Sequence, residues 1–231
     1  MQVVILAGGF GTRLSEETDH VPKPMVKIGM DPIIVHIMRY YSYFGHIEFV
    51  IAAGYKKDVI EDYFKSNSFS WNIKVVDTGL ETSTGGRLLQ LKNILKENFL
   101  LTYGDGLGNI DLYQLENHHN KAGGLITVTA VSPPARFGSL QLRNGLVTKF
   151  SEKNQKDSGW INGGFFYCNK GIISYIKDEI EPFENEPLRT LAEQNKMAGY
   201  KHYGWWQPMD TLRDKRVLQS LWDSGSPPWI K

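Results

Sequence analysis

The sequence is poor in cysteine: among 231 residues only Cys168 is one, inside the apolar run Phe165-Phe166-Tyr167-Cys168. An intramolecular disulfide is therefore excluded, and a thiol in such a run is read as a packing group rather than a nucleophile. Charge of neither sign is in excess, since 26 Lys and Arg face 25 Asp and Glu for a formal net charge of +1. That balance leaves no electrostatic footprint for nucleic acid or an anionic membrane as the main partner. No apolar run approaches membrane-spanning length, and Gln2-Val3-Val4-Ile5-Leu6 reads as a strand rather than a signal peptide. The expected location is the cytoplasm. Repeats, low-complexity tracts and long linkers are also missing, so residues 1–231 are expected to form one domain.

What is present is a substantial apolar fraction, 41%, laid out in alternating patterns. Val3–Leu6, Glu48–Ala52, Ile73–Val76 and Phe99–Thr102 read as strands. Between them, Ile33–Tyr43, Asp58–Phe64 and Leu88–Leu95 carry helix-spaced apolar residues. Such alternation predicts an α/β fold, a doubly wound, Rossmann-like, mostly parallel sheet covered by helices. The second half is richer in β signals: Leu125–Val131, a hairpin over Leu140–Phe150 turning at Asn144-Gly145, and Trp160–Tyr167. A helix is expected over Pro187–Asn195, and a last one from near Asp210, read as its N-cap, to Trp222. Trp205, Trp206, Trp222 and Trp229 serve the core or a subunit contact, and a homo-oligomer is compatible with them.

Three segments carry chemistry. Leu6-Ala7-Gly8-Gly9-Phe10-Gly11-Thr12-Arg13 follows the first strand. Glycines let backbone N–H groups wrap an anion, and the guanidinium of Arg13 adds a fork of donors suited to phosphate. The dinucleotide fingerprint is broken, because its third glycine is missing, and no Gly-Lys-Ser/Thr of a Walker loop follows. In Val21-Pro22-Lys23-Pro24-Met25 two prolines are expected to hold Lys23 in an extended, stiff segment aimed at phosphate. Thr102-Tyr103-Gly104-Asp105-Gly106 ends a buried strand, where a carboxylate faces the ligand crevice of an open α/β sheet and suits Mg²⁺.

In this order the three segments resemble the sugar-1-phosphate nucleotidyltransferases, and more closely the glucose-1-phosphate cytidylyltransferases. Further matching stretches are Ser15-Glu16-Glu17-Thr18, Val76-Asp77-Thr78-Gly79, Thr84-Gly85-Gly86-Arg87-Leu88, Arg136-Phe137-Gly138, Ile161-Asn162-Gly163-Gly164 and Trp206-Gln207-Pro208-Met209-Asp210. The resemblance implies CMP transfer from CTP to a phosphorylated small molecule, a sugar 1-phosphate such as glucose 1-phosphate, with release of pyrophosphate. It implies that Leu6, Ala7, Gly8, Gly9, Gly11, Thr12, Arg13, Lys23, Thr78, Ser83, Arg87 and Thr102 hold the nucleotide. It assigns the metal, Mg²⁺, to Asp105 and Asp210, and the acceptor to Arg136, Lys153, Asn162 and Gly163. Arg13, Lys23 and Asp105 are the expected catalytic groups, and the fold carries a small β-rich acceptor-binding part.

The sequence departs from the family pattern in three places. The stretch Lys65–Lys74 is short, the usual Glu-Lys-Pro reads Glu152-Lys153-Asn154, and Trp160 stands beside the acceptor motif. These departures bear on the acceptor rather than on the reaction. A non-sugar phosphorylated acceptor, another NTP, or a nucleotide-binding protein without turnover stay open as alternatives. The histidines, including the pair His118-His119, are expected to pack or face solvent rather than to catalyse.

Overall fold

The computed structural model describes residues 1–133, 139–151 and 159–230. In chain order the first half comprises β1 (Gln2–Ala7), α1 (Ser15–Thr18), β2 (Lys27–Ile28), β3 (Asp31–Pro32), α2 (Ile33–Tyr43), β4 (Glu48–Ala53), α3 (Lys57–Ser66), β5 (Asn72–Asp77), α4 (Thr84–Gln90), β6 (Asn98–Tyr103) and β7 (Gly106–Gly108). The second half comprises α5 (Leu112–Ala122), β8 (Ile126–Val131), β9 (Ser139–Arg143), β10 (Leu146–Ser151), β11 (Ile161–Asn169), α6 (Glu186–Glu193), β12 (Met197–His202), β13 (Trp206–Pro208) and α7 (Leu212–Asp223).

Among the described residues the main sheet has seven strands in the order β12-β8-β11-β6-β1-β4-β5. β6, β1, β4 and β5 run parallel, and β11 is antiparallel to both of its neighbours. The strands bury both faces. Val3, Ile5, Phe49, Ile51 and Leu100 pack with α2, α5 and α7, whereas Val4, Leu6, Val50, Phe99 and Leu101 pack with Leu88, Leu91, Phe183 and Leu191 of the opposite layer. Near-continuous apolar strands follow from that double coverage. The sheet is thus mixed but mostly parallel, as the alternation predicts. The Leu140–Phe150 hairpin is present as β9 and β10, which pair with each other.

Three expectations need correction. The helix expected over Leu88–Leu95 begins earlier, at Thr84, and ends at Gln90. Gly85 and Gly86 mask its start in the sequence, and both turn out to be required by packing, as shown below. The last helix is capped by Thr211, not Asp210: the Thr211 hydroxyl and the Asp214 carboxylate form a reciprocal capping box. Lys23 is not extended. Pro22 is extended, and Lys23-Pro24-Met25 makes one 3₁₀ turn, with Pro24 near its start where a missing N–H costs nothing.

The parallel strands β1, β4, β5 and β6 end at one edge of the sheet. β11 runs the other way, so its first residues reach the same edge. That edge carries the glycine-rich loop, Thr78, Asp105 and Asn162.

Candidate active site

A cleft of about 640 Å³ opens along this edge. Gly8, Gly9, Gly11, Thr12 and Arg13 form one wall. Gly11 adopts φ +67°, and a Cβ there would lie 2.9 Å from Thr18 Cγ2 and 3.0 Å from Lys23 Cβ, so the turn admits only glycine. This close approach sets the Lys23 segment against the glycine loop.

Lys23 Nζ donates to Asp105 Oδ2 at 2.5 Å and to Asp210 Oδ1 at 2.8 Å. Its side chain is only 11% exposed. Burial alone would lower the ammonium's pKa, but the two carboxylates outweigh it and hold the group above the ordinary lysine value. Arg13 Nη1 reaches the other oxygen of Asp210 at 3.2 Å from a solvent-exposed position.

The two aspartates come together through an antiparallel pairing. β13 lies on β7 with Pro208 opposite Gly106, and Met209 N–H donates to Asp105 O at 2.8 Å. Asp210 is the next residue. Its own N–H donates to Asp214 Oδ2 at 3.2 Å, so the capping box of α7 also fixes the Asp210 backbone.

Arg87 is almost fully buried at 3% exposure. Its guanidinium donates to Ala53 O, Thr78 Oγ1, Gly79 O and Gly8 O at 3.2, 2.7, 2.8 and 2.9 Å. It therefore ties the loops after β1, β4 and β5 into one wall. A Cβ on Gly8 would fall 2.1 Å from this guanidinium, and one on Gly54 2.6 Å from it. Both glycines are space for Arg87.

At the other end of the cleft β11 bulges between Asn162 and Phe166, where pairing with β8 shifts register. Gly164 has φ +76°, and the Tyr103 ring fills the space a side chain would need, 2.6 Å from its ideal Cβ. Asn162 Oδ1 accepts from Gly164 N–H at 2.8 Å, and the Trp206 indole N–H donates to Gly163 O at 2.7 Å. The bulge is held open toward the cleft from three sides.

A family model described as "Nucleotidyl transferase" matches residues 2–211. A glucose-1-phosphate cytidylyltransferase of Salmonella typhimurium is 45% identical over 254 aligned residues, covering 99% of this chain and 98% of that one. A probable glucose-1-phosphate cytidylyltransferase of Bacillus subtilis is 41% identical, covering 99% of both chains. The chain belongs to the nucleotidyl transferase family, among the glucose-1-phosphate cytidylyltransferases. The crystal structure of HddC from Yersinia pseudotuberculosis has the same fold, with a TM-score of 0.77 at 23% identity over 96% of this chain and 99% of that one.

In this nucleotidyl transferase the cleft is lined by Leu6, Ala7, Gly8, Gly9, Gly11, Thr12, Arg13, Lys23, Ser83, Arg87, Thr102, Asp105, Asn162, Gly163 and Asp210, all singled out in the sequence. Thr78 is fully buried behind that wall, its hydroxyl donating to Ala53 O and accepting from Arg87. Arg136 and Lys153 lie outside the described residues. Sequence reasoning missed Tyr103, Thr84 and Trp206, which also line the cleft. Each stands inside a motif quoted above, beside the glycines and charged residues that mark it. Among the described residues no helix is long and apolar enough to cross a membrane.

Proposed function

We propose that the protein transfers the CMP unit of CTP to the phosphate of glucose 1-phosphate and releases pyrophosphate. The observation that carries this reading is the convergence of Lys23, Asp105, Asp210 and Arg13 beside a glycine-rich loop at the ligand edge of the sheet. The relatives' names support CTP and glucose 1-phosphate as the substrate pair.

The acceptor phosphate is already anionic, so no base is needed. One of its oxygens attacks the α-phosphorus of CTP, a P–O bond forms, and the bond to pyrophosphate breaks in line. The barrier lies in bringing two anions together and in the charge growing on the leaving group. Arg13, Lys23 and the loop of Gly8, Gly9 and Gly11 line the cleft where that charge would develop, and Leu6, Ala7 and Thr12 shape the same loop. Ser83 and Thr102 line the nucleoside side, while Arg87 and Thr78 brace it from behind. Asn162 and Gly163 line the acceptor side, with Arg136 and Lys153 assigned to the acceptor phosphate by resemblance.

Asp105 and Asp210 fit Mg²⁺, because they bring two carboxylates together at the cleft, both within reach of Lys23 Nζ, and this ion takes one or two carboxylates plus phosphate oxygens and waters. Held by these two residues, Mg²⁺ would supply charge neutralisation for the triphosphate. The test is pyrophosphate release with each NTP, glucose 1-phosphate and other phosphorylated acceptors, with and without Mg²⁺. A high specificity constant for CTP with glucose 1-phosphate supports the reading. Faster turnover of another NTP or a non-sugar phosphate contradicts its substrate assignment, and no turnover of any pair contradicts the reaction.

A further inference from the structure

Glu184 lies in the loop before α6, outside every motif the sequence offers. Its two carboxylate oxygens accept from two different walls of the cleft. Tyr103 Oη donates to Glu184 Oε1 at 2.5 Å, and Thr84 Oγ1 donates to Glu184 Oε2 at 2.6 Å. Thr84 opens α4 next to Ser83, while Tyr103 packs under the β11 bulge and its hydroxyl accepts from Asn162 Nδ2 at 3.4 Å. One carboxylate thus joins the two ends of the cleft.

The contact is built rather than incidental. Phe183, the preceding residue, is fully buried, and its N–H donates to Thr84 Oγ1 at 2.9 Å. Ser83 N–H donates to Glu179 O at 3.0 Å. Gly85 and Gly86 let the loop lie directly on the helix, since a Cβ on either would stand 2.4 Å from Glu181 O or 2.0 Å from Glu179 O.

We propose that Glu184 is a positioning residue that couples nucleotide binding to acceptor binding, acting through Thr84 on one side and Tyr103 with Asn162 on the other. This rests on the reading above that the nucleotide lies against α4 and the sugar phosphate against β11. A nucleotide that orders the start of α4 fixes Thr84, which fixes the carboxylate and with it the Tyr103 hydroxyl beneath the acceptor platform. By reciprocity, the acceptor tightens nucleotide binding by the same factor. Alanine removes both carboxylate oxygens, so Glu184→Ala leaves both arms unmade.

The experiment measures glucose 1-phosphate binding by calorimetry with and without α,β-methylene-CTP, which cannot release pyrophosphate. In the native protein the analogue should tighten glucose 1-phosphate at least about fivefold, the low end of ordinary coupling between sites. In Glu184→Ala that ratio should fall below about twofold, and Thr84→Val should give the same loss, with the double variant no worse than either. Thermal unfolding of each variant checks that the fold is retained. A native-like ratio in folded Glu184→Ala, or no coupling in a native protein that turns over CTP and glucose 1-phosphate, overturns the proposal alone. A native protein that binds and turns over neither substrate overturns the functional reading and this inference with it.

Discussion

Lys23 Nζ lies 2.5 Å from Asp105 Oδ2, although 82 positions separate the two residues in sequence. The contact requires three local decisions: a 3₁₀ turn set up by Pro22 and Pro24, a glycine at position 11 that admits the lysine stem, and a tight turn after β6. Each was made in the sequence for its own reason, and together they put one ammonium between two carboxylates.

Replacing Lys23 with alanine should leave the sheet intact and lower turnover by at least about a hundredfold, the scale seen when a donor aimed at developing charge is removed. Circular dichroism and pyrophosphate release check the two halves of that statement. Near-native turnover in a folded variant would remove Lys23 from the mechanism.

Arg87→Lys should behave as a structural lesion despite keeping the charge. A lysine cannot span Gly8 O, Ala53 O, Gly79 O and Thr78 Oγ1 together. Stranded buried acceptors cost roughly 1–3 kcal/mol each, so urea unfolding should show a loss of at least about 2 kcal/mol. The KM for CTP should rise as the glycine loop loses its brace. Unchanged stability would mean the guanidinium is not the strut described here.

Gly86→Ala reverses an ordinary rule. In an exposed helix interior the change gains about 1 kcal/mol. Here the new methyl meets Glu179 O at 2.0 Å, a backbone atom that cannot swing away. The variant should therefore be less stable than the native protein, by about 1–3 kcal/mol for such overpacking. A stabilised variant would show that the loop has room to retreat.

Much of the fold and site was legible because its signals are local. The parallel strands end in glycine-rich turns, and Pro22-Lys23-Pro24 and Gly104-Asp105-Gly106 mark the edge that carries the cleft. What escaped was set by distant packing. The helix expected from Leu88 begins at Thr84, because Gly85 and Gly86 admit the loop Glu179–Glu184 directly on its first turn. Arg87 was assigned to the nucleotide by resemblance, and nothing local announces that its donors bind Gly8, Ala53 and Gly79. Asp210 looked like a cap because the capping-box partner of Thr211, Asp214, stands three residues further on. β12 and β13 carry too few apolar residues in alternation to announce themselves as strands.

Stability should fall as pH drops below the histidine range, with His36 as one source. The ring is buried, Nε2–H donates to Ile28 O at 2.8 Å, and Nδ1 accepts from the Trp229 indole N–H at 3.3 Å. An indole only donates, so the ring is held neutral in one tautomer. Burial is the main cause that lowers its pKa below the usual 6.5. The unfolded chain therefore takes up a proton that the folded one refuses. Stability is fully present above 6.5 and is lost as pH falls toward the depressed folded value. Urea unfolding followed by tryptophan fluorescence between pH 7.5 and about 4.5 should show this slope, and His36→Gln should flatten part of it. An identical slope in the variant would assign the effect to other groups.

On the proposed reaction, an acceptor phosphate oxygen attacks the α-phosphorus of CTP in the cleft around Lys23, Asp105 and Asp210. The most direct measurement follows ¹⁸O placed in the phosphate of glucose 1-phosphate, with CTP and Mg²⁺, by mass spectrometry of both products. All of the label should be retained in a CDP-sugar and none should enter pyrophosphate, and Asp105→Asn and Asp210→Asn should each suppress formation of the labelled product. Label in pyrophosphate, or CMP released without a labelled nucleotide-sugar, would contradict it.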